Sequence, residues 1–336
     1  MADIREIAEA LNKKFKKNIV QVGTKIEKRV MIPFSSPMMN YMTRGGVAKG
    51  KVSEFFGSEG SGKTTTALDA ISNYQKVYPE DYVLYLDAEN TLDEEWGTRL
   101  GVNWEMVILI KPEQEYAETL LDMVLDAIRT GQVGLVVIDS IPFLHPKQAT
   151  EGTLEDKTYA GNSAVMTQFA TKVVPACNKF GTTLIGINQL RDKIGSTYVA
   201  YNTPGGRMWK HACSQRFMFS KGKLLDHNNK EQANNFENPS AHTVNVKYEK
   251  NKVTKNDRRF TGYTLNYAEG VDVLNDTIEL GLFLEVIRQG GAWYYVEDSE
   301  GTEHKFQGMA KLLDWLRSDS EEFGSLQDRV LELAVS

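Results

Sequence analysis

The chain has 336 residues, enough for one large domain with satellites or for two domains. Hydrophobic residues make up 41% and charged residues 25%, an ordinary globular composition that excludes wholesale disorder. Lys and Arg number 39 against 45 Asp and Glu, and the formal net charge of −6 excludes a uniformly basic nucleic-acid binder while leaving room for a local basic surface.

Asp3, Arg5, Glu6 and Glu9 crowd the start of the chain and leave no apolar core for a signal peptide. No uncharged apolar run approaches the roughly 18 residues that span a bilayer. The expectation is a cytoplasmic protein with no membrane partner. Ile4, Ile7, Ala8, Leu11 and Phe15 recur at helical spacing and predict one apolar stripe. Lys13, Lys14, Lys16, Lys17, Lys25, Lys28 and Arg29 fill the other face and the segment after it; a charge run alone is a solvated face. The stripe needs cover, from its own domain or from a neighbouring subunit.

From residue 51 to about 220, short apolar runs alternate with amphipathic stretches. Runs at 51–56, 82–87, 106–110, 134–139, 182–188 and 215–219 predict strands, and stretches near 63–78, 90–100, 114–130 and 160–180 predict helices. Continuous apolar runs separated by helices predict a mostly parallel sheet covered on both faces. Two long connections, at about 142–160 and 190–208, break the rhythm; loops of that length in a compact domain are functional or disordered. Residues 243–267 read as a β-hairpin. After Gly270 come a helix over 274–287, the run Trp293-Tyr294-Tyr295, and helices near 309–317 and 321–334. Residues 296–336 hold ten acidic and four Lys or Arg side chains, a net −6.

Gly57, Ser58, Glu59, Gly60, Ser61, Gly62, Lys63 and Thr64 match G-x-x-x-x-G-K-[ST], a phosphate loop, between a strand-like run and a helix-like one. Glycines let backbone N–H groups face phosphates, Lys63 adds a point charge, and the Thr64 hydroxyl is placed to bind Mg²⁺. Asp139 closes the apolar strand LVVID and suits the acid that holds the Mg²⁺ hydration shell. Glu89 follows the strand YLD; if the three strand ends share one edge of the sheet, it can orient or deprotonate an attacking water. The five His residues (145, 211, 227, 242, 304) show no metal spacing, and Cys177 and Cys213 lack C-x-x-C spacing, which suits buried thiols in a reducing compartment. The second long loop opens at Asn188-Gln189-Leu190-Arg191. It mixes Arg191, Lys193 and Arg207 with Ile194, Tyr198 and Tyr201, a combination suited to single-stranded nucleic acid.

The segments GSEGSGKTT, YLDAENTLDEEWGTRLGV, LVVIDSIPFL, NQLRDKIG, the Gly205-Gly206 pair, VKYEKNKVTKNDRRF, NYAEGVDVLNDTIELGL and GGAWYYVED together resemble bacterial-type RecA recombinases over nearly the whole chain. The resemblance implies an α/β fold: a RecA-type P-loop NTPase core with a mostly parallel central sheet, an N-terminal helix and strand, and a small C-terminal α/β module. It implies an N-terminal oligomerisation helix and linker over 1–33, an ATPase core with two DNA-binding loops over 34–269, and a C-terminal domain over 270–336. It further implies a DNA-dependent ATPase that uses ATP and Mg²⁺, assembles as a helical homo-oligomeric filament on single-stranded DNA with ATP between subunits, and exchanges strands with double-stranded DNA. By matching position, Glu89 resembles the catalytic carboxylate and Gln189 the γ-phosphate sensor. Lys250 and Lys252, two apart in a predicted strand and so on one face, resemble cations that reach ATP from the next subunit. Thr65 joins the phosphate loop, Asp93 and Trp96 resemble adenine contacts, and Tyr267 and Gly270 flank a further nucleotide contact. Tyr159 of the first loop, and Arg191, Lys193, Ile194, Gly205, Gly206 and Arg207 of the second, resemble the DNA-binding positions.

Departures from the family pattern mark a divergent member, such as one encoded by a phage. Tyr159 stands where a flexible apolar residue is usual, Ala164 near a usual basic position, and His211 where an aromatic residue is usual. A ring-forming motor of the same fold would keep the phosphate loop without needing the K-N-K segment. A non-hydrolysing recombination mediator would not need intact Lys63, Thr64, Glu89 and Asp139.

Overall fold

The structure is a computed structural model of the whole chain, and it describes every residue except 1–2, 24–28, 151–160, 193–200, 228, 234, 256, 259–261 and 336. Residues Met1–Val30 and Met31–Ser336 form two compact units. In the first, helix α1 (Ile4–Phe15) starts at Asp3, whose carboxylate accepts from Arg5 N, and ends at Lys16 in a left-handed conformation. The Asn12 side chain then ties down the following turn, donating to Val20 O (2.7 Å) and accepting from Val20 N (2.8 Å). The predicted stripe stands in solvent, with Ile4 63% and Phe15 62% exposed.

The second unit opens with β1 (Met31–Ile32), α2 (Pro37–Thr43) and β2 (Val47–Ala48), the two strands pairing antiparallel. Then come β3 (Val52–Gly57), α3 (Lys63–Val77), β4 (Tyr82–Asp87), α4 (Glu94–Arg99), β5 (Val107–Ile110), α5 (Ala117–Arg129) and β6 (Val133–Asp139). Next are α6 (Lys147–Thr150), α7 (Gly161–Phe180), β7 (Thr183–Gln189), the short antiparallel pair β8 (Arg191–Asp192) and β9 (Tyr201–Asn202), and α8 (Gly206–Ala212). They lead to β10 (Gln215–Leu225), β11 (Glu231–Gln232), β12 (Ala241–Asn251), β13 (Tyr263–Asn266) and β14 (Gly270–Val271). The chain ends with α9 (Val273–Phe283), the antiparallel sheet β15 (Arg288–Gly290), β16 (Trp293–Glu297) and β17 (Glu303–Gln307), and helices α10 (Met309–Ser318) and α11 (Ser320–Val335).

Among the described residues the large sheet has ten strands in the order β14-β13-β12-β10-β3-β7-β6-β4-β5, with β11 paired to β10. The six strands from β10 to β5 run parallel, as the alternation of apolar runs and helices predicts. Alternate residues feed two cores. Tyr85, Val137 and Ile185 pack with α3 on one face, and Leu84, Val136 and Leu184 pack with α5 and α7 on the other. A third apolar cluster joins α9, α10 and α11, with Met38 and Tyr41 of α2 against it.

Three elements differ in extent from the sequence reading. Helix α4 begins at Glu94 rather than near 90, because the Asp87 carboxylate holds Thr91 N and Leu92 N in a turn and Asp93 caps the helix. Strand β10 runs on past Phe219 to Leu225 with polar, partly exposed residues over 220–223, a solvated half-strand that an apolar-run search does not find. Helix α9 stops at Phe283, and Glu285 takes a positive φ before β15. No helix among the described residues is long and apolar enough to cross a membrane.

Candidate active site

Parallel pairing puts the chemistry at one edge of the sheet. Gly57 lies beside Gln189, and Asp87 beside Asp139, at the carboxyl ends of four neighbouring strands. The phosphate loop leaves β3 there and enters α3 through Gly62, whose φ of +89° is costly for any residue with a side chain; an added Cβ would also lie 3.1 Å from Val244. Lys63 is buried, and its ammonium donates to Ser58 O (2.6 Å). Burial depresses its pKa, against the pull of Asp139, Glu89 and Glu59.

Thr64 Oγ1 donates to Asp139 Oδ2 (2.8 Å), and the same oxygen accepts from Tyr85 OH (2.8 Å). Burial raises Asp139 to about 6, and these two hydrogen bonds oppose the rise. A hydroxyl and a carboxylate oxygen form a hard donor set that suits Mg²⁺, which takes one or two protein ligands plus substrate phosphates. The Asp139 carbonyl accepts from Ala88 N (2.7 Å) and Glu89 N (3.3 Å), so the ends of β4 and β6 are stitched together. The half-buried Glu89 carboxylate accepts from Ser140 Oγ and from Gln189 Nε2 (3.2 Å). Both donors use Oε1.

Beside the loop lies a cleft of about 320 Å³ lined by Gly60 to Thr65, Trp96, His242, Leu265 and Tyr267. Trp96 Nε1 donates to Thr65 Oγ1 (3.3 Å), and Asp93 caps the helix that carries Trp96. Tyr267 OH lies 3.0 Å from His242 Nδ1. Burial lowers His242 to about 4, so the ring is neutral at pH 7. Gly57, Ser58 and Glu59 form the start of the phosphate loop outside the cleft lining, and Gly270 sits in β14 paired with Asn266, beside Leu100 and also outside that lining.

Lys250 lies next to the end of β12, where its Nζ donates to Lys210 O (2.5 Å) and His211 O (3.1 Å) at the carboxyl end of α8. Strand β12 ends at Asn251, and Lys252 follows at once with its N–H donating to Ser214 O (2.9 Å), the residue before β10. Arg191 lies in β8, Gly205 and Gly206 form the turn into α8, and Arg207 is in its first turn. Tyr159, Lys193 and Ile194 lie outside the described residues.

Sequence reasoning missed several residues. Tyr85 and His242 carry no motif signal: the first is one hydroxyl in an apolar strand, the second one polar side chain among several in β12. Glu54 is a carboxylate with no exposed surface in β3, bonded to Asn188, Trp209 and Arg216. Removing one partner of a buried ion pair costs about 3–5 kcal/mol, so this arrangement depends on all its members.

The RecA N-terminal domain profile matches residues 2–272. The chain belongs to the RecA family. It is 31% identical over 326 residues to Protein RecA of Bacillus subtilis, covering 96% of this chain and 89% of the relative. It is 32% identical over 289 residues to Protein RecA of Mesoplasma florum, covering 86% and 82%. Against Protein RecA of Mycoplasma mobile it is 30% identical over 335 residues, covering 98% and 96%. RecA-family membership accounts for the mixed α/β core with its large, mostly parallel sheet.

Proposed function

We propose that this RecA-family chain, a DNA-dependent ATPase and recombinase, binds ATP at the phosphate-loop cleft to order a filament on single-stranded DNA that pairs and exchanges homologous strands, and hydrolyses ATP there to release DNA. The observation that carries the reading is the junction of Thr64, Asp139, Glu89 and Gln189 through direct hydrogen bonds at one sheet edge. The backbone N–H groups of 58–63 and the Lys63 ammonium hold the phosphates of ATP. Thr64 and Asp139 hold Mg²⁺, which supplies positive charge to the phosphate oxygens. Glu89 Oε2 orients the attacking water and takes its proton, with Ser140 and Gln189 fixing the carboxylate through Oε1. Trp96 and Tyr267 flank the nucleoside. Gln189, bonded to Glu89, stands one residue before the second loop and passes the state of the γ-phosphate to it. Lys250 and Lys252 act on ATP held by an adjacent subunit.

A ring motor or a non-hydrolysing mediator is not favoured, because relatives named Protein RecA align along most of the chain and the hydrolytic residues are intact. The test compares Lys63→Ala with Glu89→Gln. The first should weaken nucleotide binding; the second should keep binding and slow DNA-stimulated phosphate release by about 10²-fold or more. Equal loss of nucleotide affinity in both would sink the role given to Glu89.

A further inference from the structure

Glu54 precedes the phosphate loop in β3, and its side-chain hydrogen-bond partners are not among the residues lining the cleft. Its Oε1 accepts from Asn188 Nδ2 (2.7 Å) and Trp209 Nε1 (3.0 Å), and its Oε2 pairs with Arg216 Nε. These donors come from three elements, β7, α8 and β10. Each also holds the distal end of the second loop. Asn188 Nδ2 spends its other hydrogen on Pro204 O (3.0 Å), and Arg216 Nη2 donates to Thr203 Oγ1 (3.2 Å). The Trp209 side chain packs against Gly205, whose φ is +94° and where an added Cβ would lie 3.2 Å from the ring. Gly206 abuts Ser163 in the first turn of α7, just after the first loop.

The same network reaches the nucleotide side. Asn188 Oδ1 accepts from Gln189 N (2.9 Å), and the Gln189 side chain reaches Glu89 (3.2 Å). Adjacent strand residues face opposite sides of a sheet, so a displacement of β7 at Gln189 is felt by Asn188 on the other face.

We propose that Glu54 is a positioning residue, a joint that fixes the distal end of the second loop to the phosphate-loop strand and so couples nucleotide in the cleft to DNA at the loop. The proposal rests on the DNA-binding reading of that loop. A plain structural ion pair would need Arg216 alone. Here the carboxylate is filled by donors that converge on residues 203–209, and the Trp209 indole has one N–H and spends it on Glu54.

Trp209→Phe removes the N–H and keeps an aromatic ring against Gly205. The measurement is the ratio of affinities for a labelled single-stranded oligonucleotide with and without a slowly hydrolysed ATP analogue, taken beside the affinity for a fluorescent nucleotide in the absence of DNA. Nucleotide affinity should stay within about twofold of the parent while the ratio falls about tenfold, within the range of allosteric couplings. Glu54→Gln, which keeps an acceptor and loses the charge opposite Arg216, should also lower the ratio. A lower melting temperature with an unchanged ratio in both variants would reduce Glu54 to a packing role and overturn the proposal. A parent protein whose DNA affinity ignores nucleotide would instead overturn the reading of the loop, and the joint with it.

Discussion

Single atoms decide much of the nucleotide site. Asp139 Oδ2 accepts from both Thr64 and Tyr85, so the carboxylate is fixed from two sides. A hydrogen bond to a charged group contributes about 1.5–3 kcal/mol. Tyr85→Phe keeps the ring in the core and removes one of the two restraints. Nucleotide binding at saturating Mg²⁺ should be retained, while the Mg²⁺ concentration for half-maximal binding of a fluorescent nucleotide should rise about tenfold. An unchanged Mg²⁺ dependence would show that Thr64 alone orients Asp139. This residue was beyond sequence reasoning for a physical reason. A Tyr in an apolar strand reads as core, and its hydroxyl matters only because β4 and β6 pair in a register that sets Tyr85 beside Val137, two residues short of Asp139. The phosphate loop, by contrast, was legible because its chemistry is carried by backbone N–H groups, which need glycines at fixed spacing whatever surrounds them.

Whole elements bear on assembly and on pH. Helix α1 exposes Ile4, Ile7, Leu11 and Phe15 along one stripe, a face that filament formation would cover. Deleting residues 1–30 removes a compact unit of its own and leaves Met31–Ser336 with its cores intact. The shortened protein should bind nucleotide as a folded monomer and fail to build long filaments in electron micrographs; normal filaments would refute the role of the stripe. Helices α2 and α9 meet where the Ser36 hydroxyl donates to Asp276 Oδ2 (2.5 Å) and Met38 N to the same oxygen (3.2 Å). Burial raises Asp276 from 3.8 to about 7, with Glu279 and Asp272 adding repulsion. A carboxyl whose folded pKa is raised contributes stability fully below its unfolded pKa and loses it as pH climbs through the folded value. The loss runs from pH 4 to 7 and amounts to at most about 4 kcal/mol for three pKa units. Asp276→Asn should flatten the fall of the urea midpoint across that window, leaving the parts due to Asp69, Asp139 and Glu279, which burial also raises. An undiminished slope would place the titration elsewhere.

At the scale of the whole molecule, the parallel order of the sheet and the convergence of strand ends followed from alternating apolar runs and helices, since only a sheet buried on both faces needs such runs. The contacts that tie the nucleotide site to the second loop were not legible, because Glu54 lies more than 130 residues before Asn188, Trp209 and Arg216 and meets them only through strand order. The same holds for Lys250. Its spacing from Lys252 suggested a paired cationic face but not that, within the subunit, its ammonium donates to the last carbonyls of α8. That contact sharpens the claim of a site shared between subunits. A lysine acting only as a cap within its own chain fails wherever that chain goes, but a lysine acting on a neighbour's ATP can be supplied by another molecule. The decisive measurement is DNA-stimulated phosphate release from Lys250→Ala, from Lys63→Ala, and from filaments containing both. Each variant alone should lose most of the stimulated rate, about 10³-fold or more for the lysine acting like an arginine finger. Mixed filaments should recover activity at interfaces where an intact phosphate loop faces an intact Lys250. Near-normal hydrolysis by Lys250→Ala, or no recovery in filaments shown to contain both variants, would contradict a shared site.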